Sequence, residues 1–247
     1  MRLAIVSDIH GNLTALEAVI RDLQQISPDL VVQGGDLAVS GLHPCEVIDR
    51  IRELGWLGVV GNTDEMLWKP ERFHDLQARM PKIRHQLSVL FEALAPATLG
   101  RISKVHLEWL RGLPTEWRSG ETVLLHAGPQ DLWRAPLVDC RDAELTETYR
   151  TLGARIVCYG HIHRPFVRQV AGFTVCNAGS VGMPYDGDLR ASYLLIEDGR
   201  PSIRRVEYDV EREARELRAS NYPYKDWLAD ILLTGKYSRP PQAISAR

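Results

Sequence analysis

Leu3-Ala4-Ile5-Val6-Ser7-Asp8-Ile9-His10-Gly11-Asn12 begins as a continuous apolar run and breaks at once into polar residues and a glycine. That pattern reads as a buried strand ending in a tight loop. Asp8 and His10 stand two residues apart, and in extended backbone such residues point to the same side. One carboxylate oxygen and one imidazole nitrogen can then face a single metal ion. An Asp-x-His pair at a strand end is also a common capping or turn device, and recurrence along the chain decides between the two.

The arrangement does recur. After Asn12, a suitable N-cap, Leu13, Leu16, Val19, Ile20, Leu23 and Ile26 repeat at helical spacing until Ser27-Pro28. A short apolar strand, Leu30-Val31-Val32, leads into Gly34-Gly35-Asp36, where the glycines let the backbone turn sharply and bring Asp36 near the first loop. A helix around Pro44 to Leu54 precedes Leu57-Gly58-Val59-Val60 and the loop Gly61-Asn62-Thr63-Asp64. Strands alternating with helices imply βαβ crossovers, and in such sheets ligands collect beyond the carboxyl ends of the strands. Thr122-Val123-Leu124-Leu125 ends in His126-Ala127-Gly128-Pro129. After a helix near Asp142 to Leu152, Ile156-Val157-Cys158-Tyr159 ends in Gly160-His161-Ile162-His163-Arg164-Pro165. Further strands are expected at Phe166 to Val170, Phe173 to Cys176, Ser192 to Glu197 and Ile203 to Tyr208, joined by hairpin-like turns.

Residues 65 to 121 break this rhythm. Three amphipathic stretches, near Met66 to Met80, Pro81 to Leu94 and Ser103 to Leu110, show no clear strand between them and read as a helical cap insertion. Between 65 and 120 it carries nine Lys/Arg against six Asp/Glu. These charges are either solvated helix faces or, with His74 or His85, readers of a phosphate-bearing substrate. The expected organisation is one domain over 1–247, with that insertion and a helical tail from about 210, frayed over its last eight or so residues.

The 247 residues, 45% hydrophobic and 25% charged with a formal charge of −2, are those of an ordinary globular chain. They give no global pull toward nucleic acid or anionic membrane, so an anionic substrate must be held locally. No apolar run is long enough to span a bilayer and no signal-like stretch opens the chain, so a cytoplasmic location is expected. Cys45, Cys140, Cys158 and Cys176 lack CxxC spacing and read as reduced thiols rather than a disulfide or zinc site.

Collected, the strand-end side chains are Asp8, His10, Asp36, Asn62, His126, His161 and His163. They are too many for one tetrahedral ion, include no thiolate, and suit two divalent ions sharing a carboxylate. The segments DIHGN, GGD, GNTD, LLHAGP and GHIH, in that order over about residues 1 to 208, resemble the five motifs of the calcineurin-like metallophosphoesterases. Asn177 to Pro184 with Asp186-Gly187-Asp188 and Arg190 to Tyr193 further resembles the small bacterial and archaeal phosphodiesterases of that superfamily. The resemblance implies an α/β fold, a four-layer αββα sandwich of two mixed β-sheets. It places Asp8, His10 and His163 on one metal and Asn62, His126 and His161 on the other, with Asp36 bridging. It makes Asp8, Asp36, Asn62 and His126 the catalytic set, and implies in-line attack on phosphorus by a metal-bridging hydroxide. The mixed donors admit manganese, the first choice, as well as iron, zinc, cobalt or nickel.

One departure from the family pattern bears on chemistry. Many members place a histidine after the third-motif asparagine; here Thr63 stands there, a poor general acid near neutral pH. Leaving groups that depart without full protonation are therefore expected, favouring aryl or nucleotide diesters over alkyl monoesters. Asn62, Thr63, Asp64, Arg164 and Ser180 are candidate substrate contacts, the last through its hydroxyl or the turn's backbone N–H. Three rivals stand beside a phosphodiesterase. One is a phosphomonoesterase acting on phosphoproteins or nucleotides, and one is a nuclease, disfavoured by the lack of a basic stripe and stacking platform. The third is a non-catalytic protein-binding scaffold, as in the retromer subunit with this fold. A small phosphate ester or nucleotide is the expected partner, and no feature of the sequence sets the oligomeric state.

Overall fold

The computed structural model describes residues 1–242. In chain order the elements are β1 (Arg2–Val6), α1 (Leu13–Ile26), β2 (Leu30–Gln33), α2 (Pro44–Glu53), β3 (Leu57–Gly58), α3 (Asn62–Glu65), α4 (Arg72–Arg79), α5 (Arg84–Ser88), α6 (Ala95–Leu99) and α7 (Lys104–Arg111). A 3₁₀ turn, Pro81–Ile83, precedes α5, and a π turn, Val89–Leu94, joins α5 to α6. The second half holds β4 (Glu116–Ser119), β5 (Thr122–Leu125), α8 (Asp142–Tyr149), β6 (Ile156–Tyr159), β7 (Phe166–Val170), β8 (Phe173–Asn177), β9 (Ala191–Glu197), β10 (Arg200–Val206), α9 (Val210–Ala219) and α10 (Lys225–Thr234).

Alternation along the strands builds the layers. On β1, Leu3 and Ile5 face one side while Ala4 and Val6 face the other, and both sides are buried. Leu3 and Ile5 join Val32, Leu124, Ile156, Cys158, Cys176 and Leu194 in one core between two sheets. Ala4 and Val6 pack beneath α1, α2, the cap and the C-terminal helices. Val123, Leu125, Val157 and Tyr159 pack beneath α8 on the far side. The result is helices, sheet, sheet, helices, with strand orders β10-β9-β1-β2-β3 and β4-β5-β6-β8-β7. Both sheets are mixed: β1-β2-β3 and β5-β6-β8 run parallel, with antiparallel strands at the flanks.

Several expectations shift at their edges. The stretch expected to be helical from 65 to 121 is so only to Arg111, and Glu116–Ser119 pairs with β5 as an edge strand. Glu-Trp-Arg-Ser lacks an apolar run because one side of that strand has no neighbour to bury it. Strand β3 stops at Gly58 because the chain leaves the sheet edge, where the Val60 N–H donates to Pro114 O instead (2.9 Å). Strand β10 starts at Arg200 rather than Ile203, since the tight turn pairs Arg200 directly with Glu197. All four cysteines are free thiols, with Cys158 and Cys176 buried and Cys45 and Cys140 half-buried. Of the tail expected to fray, Pro240 to Gln242 has no regular structure and 243–247 lie outside the described residues. Among the described residues no helix is long and apolar enough to cross a membrane.

Candidate metal centre

The parallel strands β1, β2, β3, β5 and β6 release their chains at one edge of the sandwich, and the seven strand-end side chains meet there. In one half, His10 Nε2 and His163 Nε2 lie 3.1 Å apart, and His163 Nε2 is 3.2 Å from Asp8 Oδ1. Asp36 Oδ2 stands 3.7 Å from His10 Nε2, and a ligand atom from each of these four residues falls within 4.8 Å of the others. In the other half, Asn62 Oδ1 is 2.9 Å from His126 Nε2 and 2.8 Å from His161 Nδ1. Asp36 Oδ1 lies 3.5 Å from His126 Nε2, so the two oxygens of Asp36 face the two halves.

The hydrogen bonds behind the rings define what these atoms offer. His10, His126 and His163 each set Nδ1 against a backbone carbonyl, of Val39 (2.8 Å), Gly34 (2.8 Å) and Met183 (2.6 Å). A carbonyl only accepts, so each Nδ1 carries a hydrogen and Nε2 is the ring nitrogen turned to the centre, where the neutral form of the ring offers a lone pair. In one half two Nε2 atoms face each other across 3.1 Å, and in the other His126 Nε2 and His161 Nδ1 both face the Asn62 amide oxygen. Two ring nitrogens so placed need a proton or a cation between them, and a backbone carbonyl behind a ligating histidine is the usual outer support of a metal site. Burial lowers the pKa of His10, and burial with the neighbouring His126 pushes His161 down to about 4, which keeps both rings in the ligating form. The donor set, nitrogen and oxygen without thiolate, fits divalent transition ions.

The backbone contradicts one step of the sequence reading. Asp8, His10, Asp36, His161 and His163 all have left-handed φ, between 52° and 65°, rather than extended backbone. Asp8 and His10 therefore converge through a coiled loop, and His161 and His163 do not share a side: His161 joins Asn62 and His126, while His163 joins Asp8 and His10. Five non-glycine residues in this sparsely populated region is the kind of local strain that functional sites retain. Close packing enforces it. A Cβ on Gly61 would collide with Asp36 Oδ1, and one on Gly160 with Asp8 Oδ2.

Of the candidate substrate contacts, two prove to be internal braces. Asp64 is fully buried and accepts from the N–H groups of Leu37 (3.0 Å), Ala38 (3.3 Å) and Gly61 (3.3 Å), fixing the loop that carries Asp36. Its pKa rises to about 7 through burial and the charge of Asp36. Ser180 is also fully buried; its hydroxyl donates to Asp8 O (2.7 Å) and accepts from Met183 N (2.8 Å). Arg164 is exposed and donates to Tyr185 O (3.1 Å). Thr63 gives its N–H to Asp36 Oδ1 (2.9 Å), while its buried hydroxyl has no partner among the described residues. Reading motifs overlooked Tyr185, whose ring stacks on His163 at 4.2 Å, and Ser7, which donates to Asp8 Oδ2 (2.6 Å). Neither has a sequence signal beyond adjacency to a motif. His43, His74, His85 and His106 stand outside the cluster.

A family model for the calcineurin-like phosphoesterase superfamily domain matches residues 1–198. The chain belongs to the calcineurin-like phosphoesterase superfamily. Among relatives, an uncharacterized protein of Methanocaldococcus jannaschii is 28% identical over 258 residues, covering 95% of this chain and 98% of its own. A probable cyclic nucleotide phosphodiesterase of Synechococcus sp. is 26% identical over 197 residues, 73% of this chain and 76% of that protein. The crystal structure of a metallophosphoesterase from Sphaerobacter thermophilus superposes with a TM-score of 0.76 at 26% identity, over 95% of this chain and 99% of that one. A calcineurin-like phosphoesterase is metal-dependent, and the buried cluster of Asp8, His10, Asp36 and His163 is where this one can hold an ion.

Proposed function

We propose that this calcineurin-like phosphoesterase is a dinuclear phosphodiesterase. Asp8, His10 and His163 hold one divalent ion, Asn62, His126 and His161 hold the second, and Asp36 spans both, with manganese the first choice. The observation that carries this reading is the convergence of imidazole nitrogens with amide and carboxylate oxygens in two halves around one carboxylate. A bound pair of divalent ions supplies Lewis-acid stabilisation of the charge on phosphoryl oxygens and activates water. The chain's own share is orientation. Val39, Gly34 and Met183 carbonyls lock three rings, Ser7 and the His161 N–H hold the Asp8 carboxylate, and the Thr63 N–H holds Asp36. Asn62, neutral, leaves the centre more positive than a third carboxylate would, which favours an anionic substrate.

Preference for diesters is supported by Thr63 at the place where an imidazole acid would stand, and by the activity for which the Synechococcus relative is named. Without a proton donor, turnover depends on leaving-group acidity. The decisive experiment is a screen of phosphomonoesters, diesters and nucleotides against apo-protein reloaded with manganese, iron, zinc, cobalt or nickel, with rates plotted against leaving-group pKa. A steep negative slope among diesters is expected. A flat slope, or faster monoesters, counts against the diesterase reading, and failure to take up metal would point to the scaffold.

A further inference from the structure

Six of the seven centre residues are no more than 5% exposed, and His161 alone is half-buried, so the centre opens on the side of His161. That ring borders a cavity of about 550 Å³. Met80 from the cap, Trp133, Pro136 and Leu137 from the loop after β5, and Ile162 beside the centre form its apolar walls, while Arg134, Glu144 and Thr148 lie at its polar positions. The loop is pinned in place. Arg79 pairs with Asp131 (2.9 Å), Arg134 donates to Arg79 O (3.0 Å), the Trp133 N–H donates to Asp131 Oδ1 (2.9 Å), and the Trp133 ring stacks on Phe91 of the cap. Trp133 also carries a buried indole N–H without an acceptor among the described residues. Leu137, in contrast, is 60% exposed, an apolar side chain left at the mouth.

We propose that this cavity is the subsite for a planar ring system, aryl or nucleobase, borne by the phosphate ester that reacts at the centre. The proposal rests on the phosphodiesterase reading. Apolar walls beside a polar metal centre suit an ester with a charged phosphate at one end and an uncharged ring at the other, and the volume is that of a small-ligand site. A phosphoserine or phosphothreonine side chain, or a simple alkyl ester, would leave those walls wet. Because the walls from the cap and from the loop after β5 are already tied together, that part of the subsite is formed before substrate arrives.

Calorimetric binding of methylphosphonate, phenylphosphonate and thymidine 5′-monophosphate to the manganese-loaded protein tests this without turnover. The ring-bearing ligands are expected to bind at least about tenfold more tightly than methylphosphonate. Leu137→Asp, which brings charge to the mouth, and Leu137→Trp, which fills it, should each reduce that ratio to within about threefold. Both act at an exposed position, and circular dichroism checks their folding. Equal affinity for all three ligands, or a ratio unchanged in both folded variants, overturns the subsite. Hydrolysis of bis(4-nitrophenyl) phosphate is measured alongside. Turnover without ring preference leaves the phosphodiesterase reading standing and removes the subsite, whereas ring-selective binding with no ester hydrolysed overturns that reading and the substrate role of the cavity with it.

Discussion

Asp36 turns one carboxylate oxygen toward His10 and the other toward His126, so a single substitution can disturb both halves of the centre. Asp36→Asn is expected to lower bound metal from two ions to one or none per chain and to cut diester turnover by about 10³-fold, with an unchanged far-UV spectrum. Elemental analysis beside kinetics checks it, and substantial residual activity with both ions retained would contradict the shared role. Gly160→Ala probes the packing behind the strain. The added methyl meets Asp8 Oδ2 and Ser7 Oγ, both buried, and overpacking of this kind costs about 1–3 kcal/mol, read as a lower urea midpoint. At this scale the seven centre residues were legible because histidine, aspartate and asparagine recur after apolar runs. The way they converge was not. Left-handed φ at Asp8 or His161 has no mark in the residue type, and extended alternation grouped these residues by a route the backbone does not take.

Helix α9 rests on α1 through Thr14, whose hydroxyl donates to Glu213 Oε2 (2.6 Å). Glu213 is 2% exposed, and burial raises its pKa above the ordinary 4.5. A carboxyl raised on folding favours the protonated folded state, so its contribution is fully present below the unfolded pKa and is lost as pH rises through the folded one. Glu213→Gln should therefore raise the melting temperature at pH 7 and leave it nearly unchanged at pH 4, the amide oxygen keeping the bond from Thr14. An equal shift at both pH values would mean that charge is not the cause. The cap makes the complementary case. Its helices were legible from apolar spacing, but its end was not, because β4 is a polar edge strand, and the link from Val60 to Pro114 anchors the chain before that strand begins. A deletion meant to remove the cap must therefore retain Leu113 to Ser119. Replacing 70–111 with a short linker should reduce discrimination among esters by about tenfold or more while sparing turnover of a small aryl diester. Collapse of that turnover in a folded variant would place the cap in the catalytic apparatus.

Across the whole molecule, the centre is assembled from two sheets. Asp8, His10, Asp36 and Asn62 leave β1, β2 and β3, whereas His126, His161 and His163 leave β5 and β6 of the facing sheet. The partition of strands between sheets was not legible in apolar patterning, since the central strands β1, β5, β6, β8 and β9 are buried on both faces and read alike; only the motif order, through family resemblance, implied it. Backbone bonds already join the two at this edge, Gly182 N to Asp8 O (3.0 Å) and Val181 N to Ser7 O (3.0 Å), and a core of apolar side chains lies behind them. Ions held between the halves would act as a further cross-link across the sandwich. Metal bound at about 100 to 1,000 times its dissociation constant stabilises by about 2.7–4.1 kcal/mol, and for a chain of this size that is roughly 5–15 °C in melting temperature. Chelation should produce that loss and manganese should restore it. Amide exchange should also quicken together in the loops after β1, β2, β5 and β6, because ligand atoms from both sheets lose the ions that hold them together. If only one sheet's loops responded, the ions would belong to that sheet alone, and the seven side chains would not form a single centre.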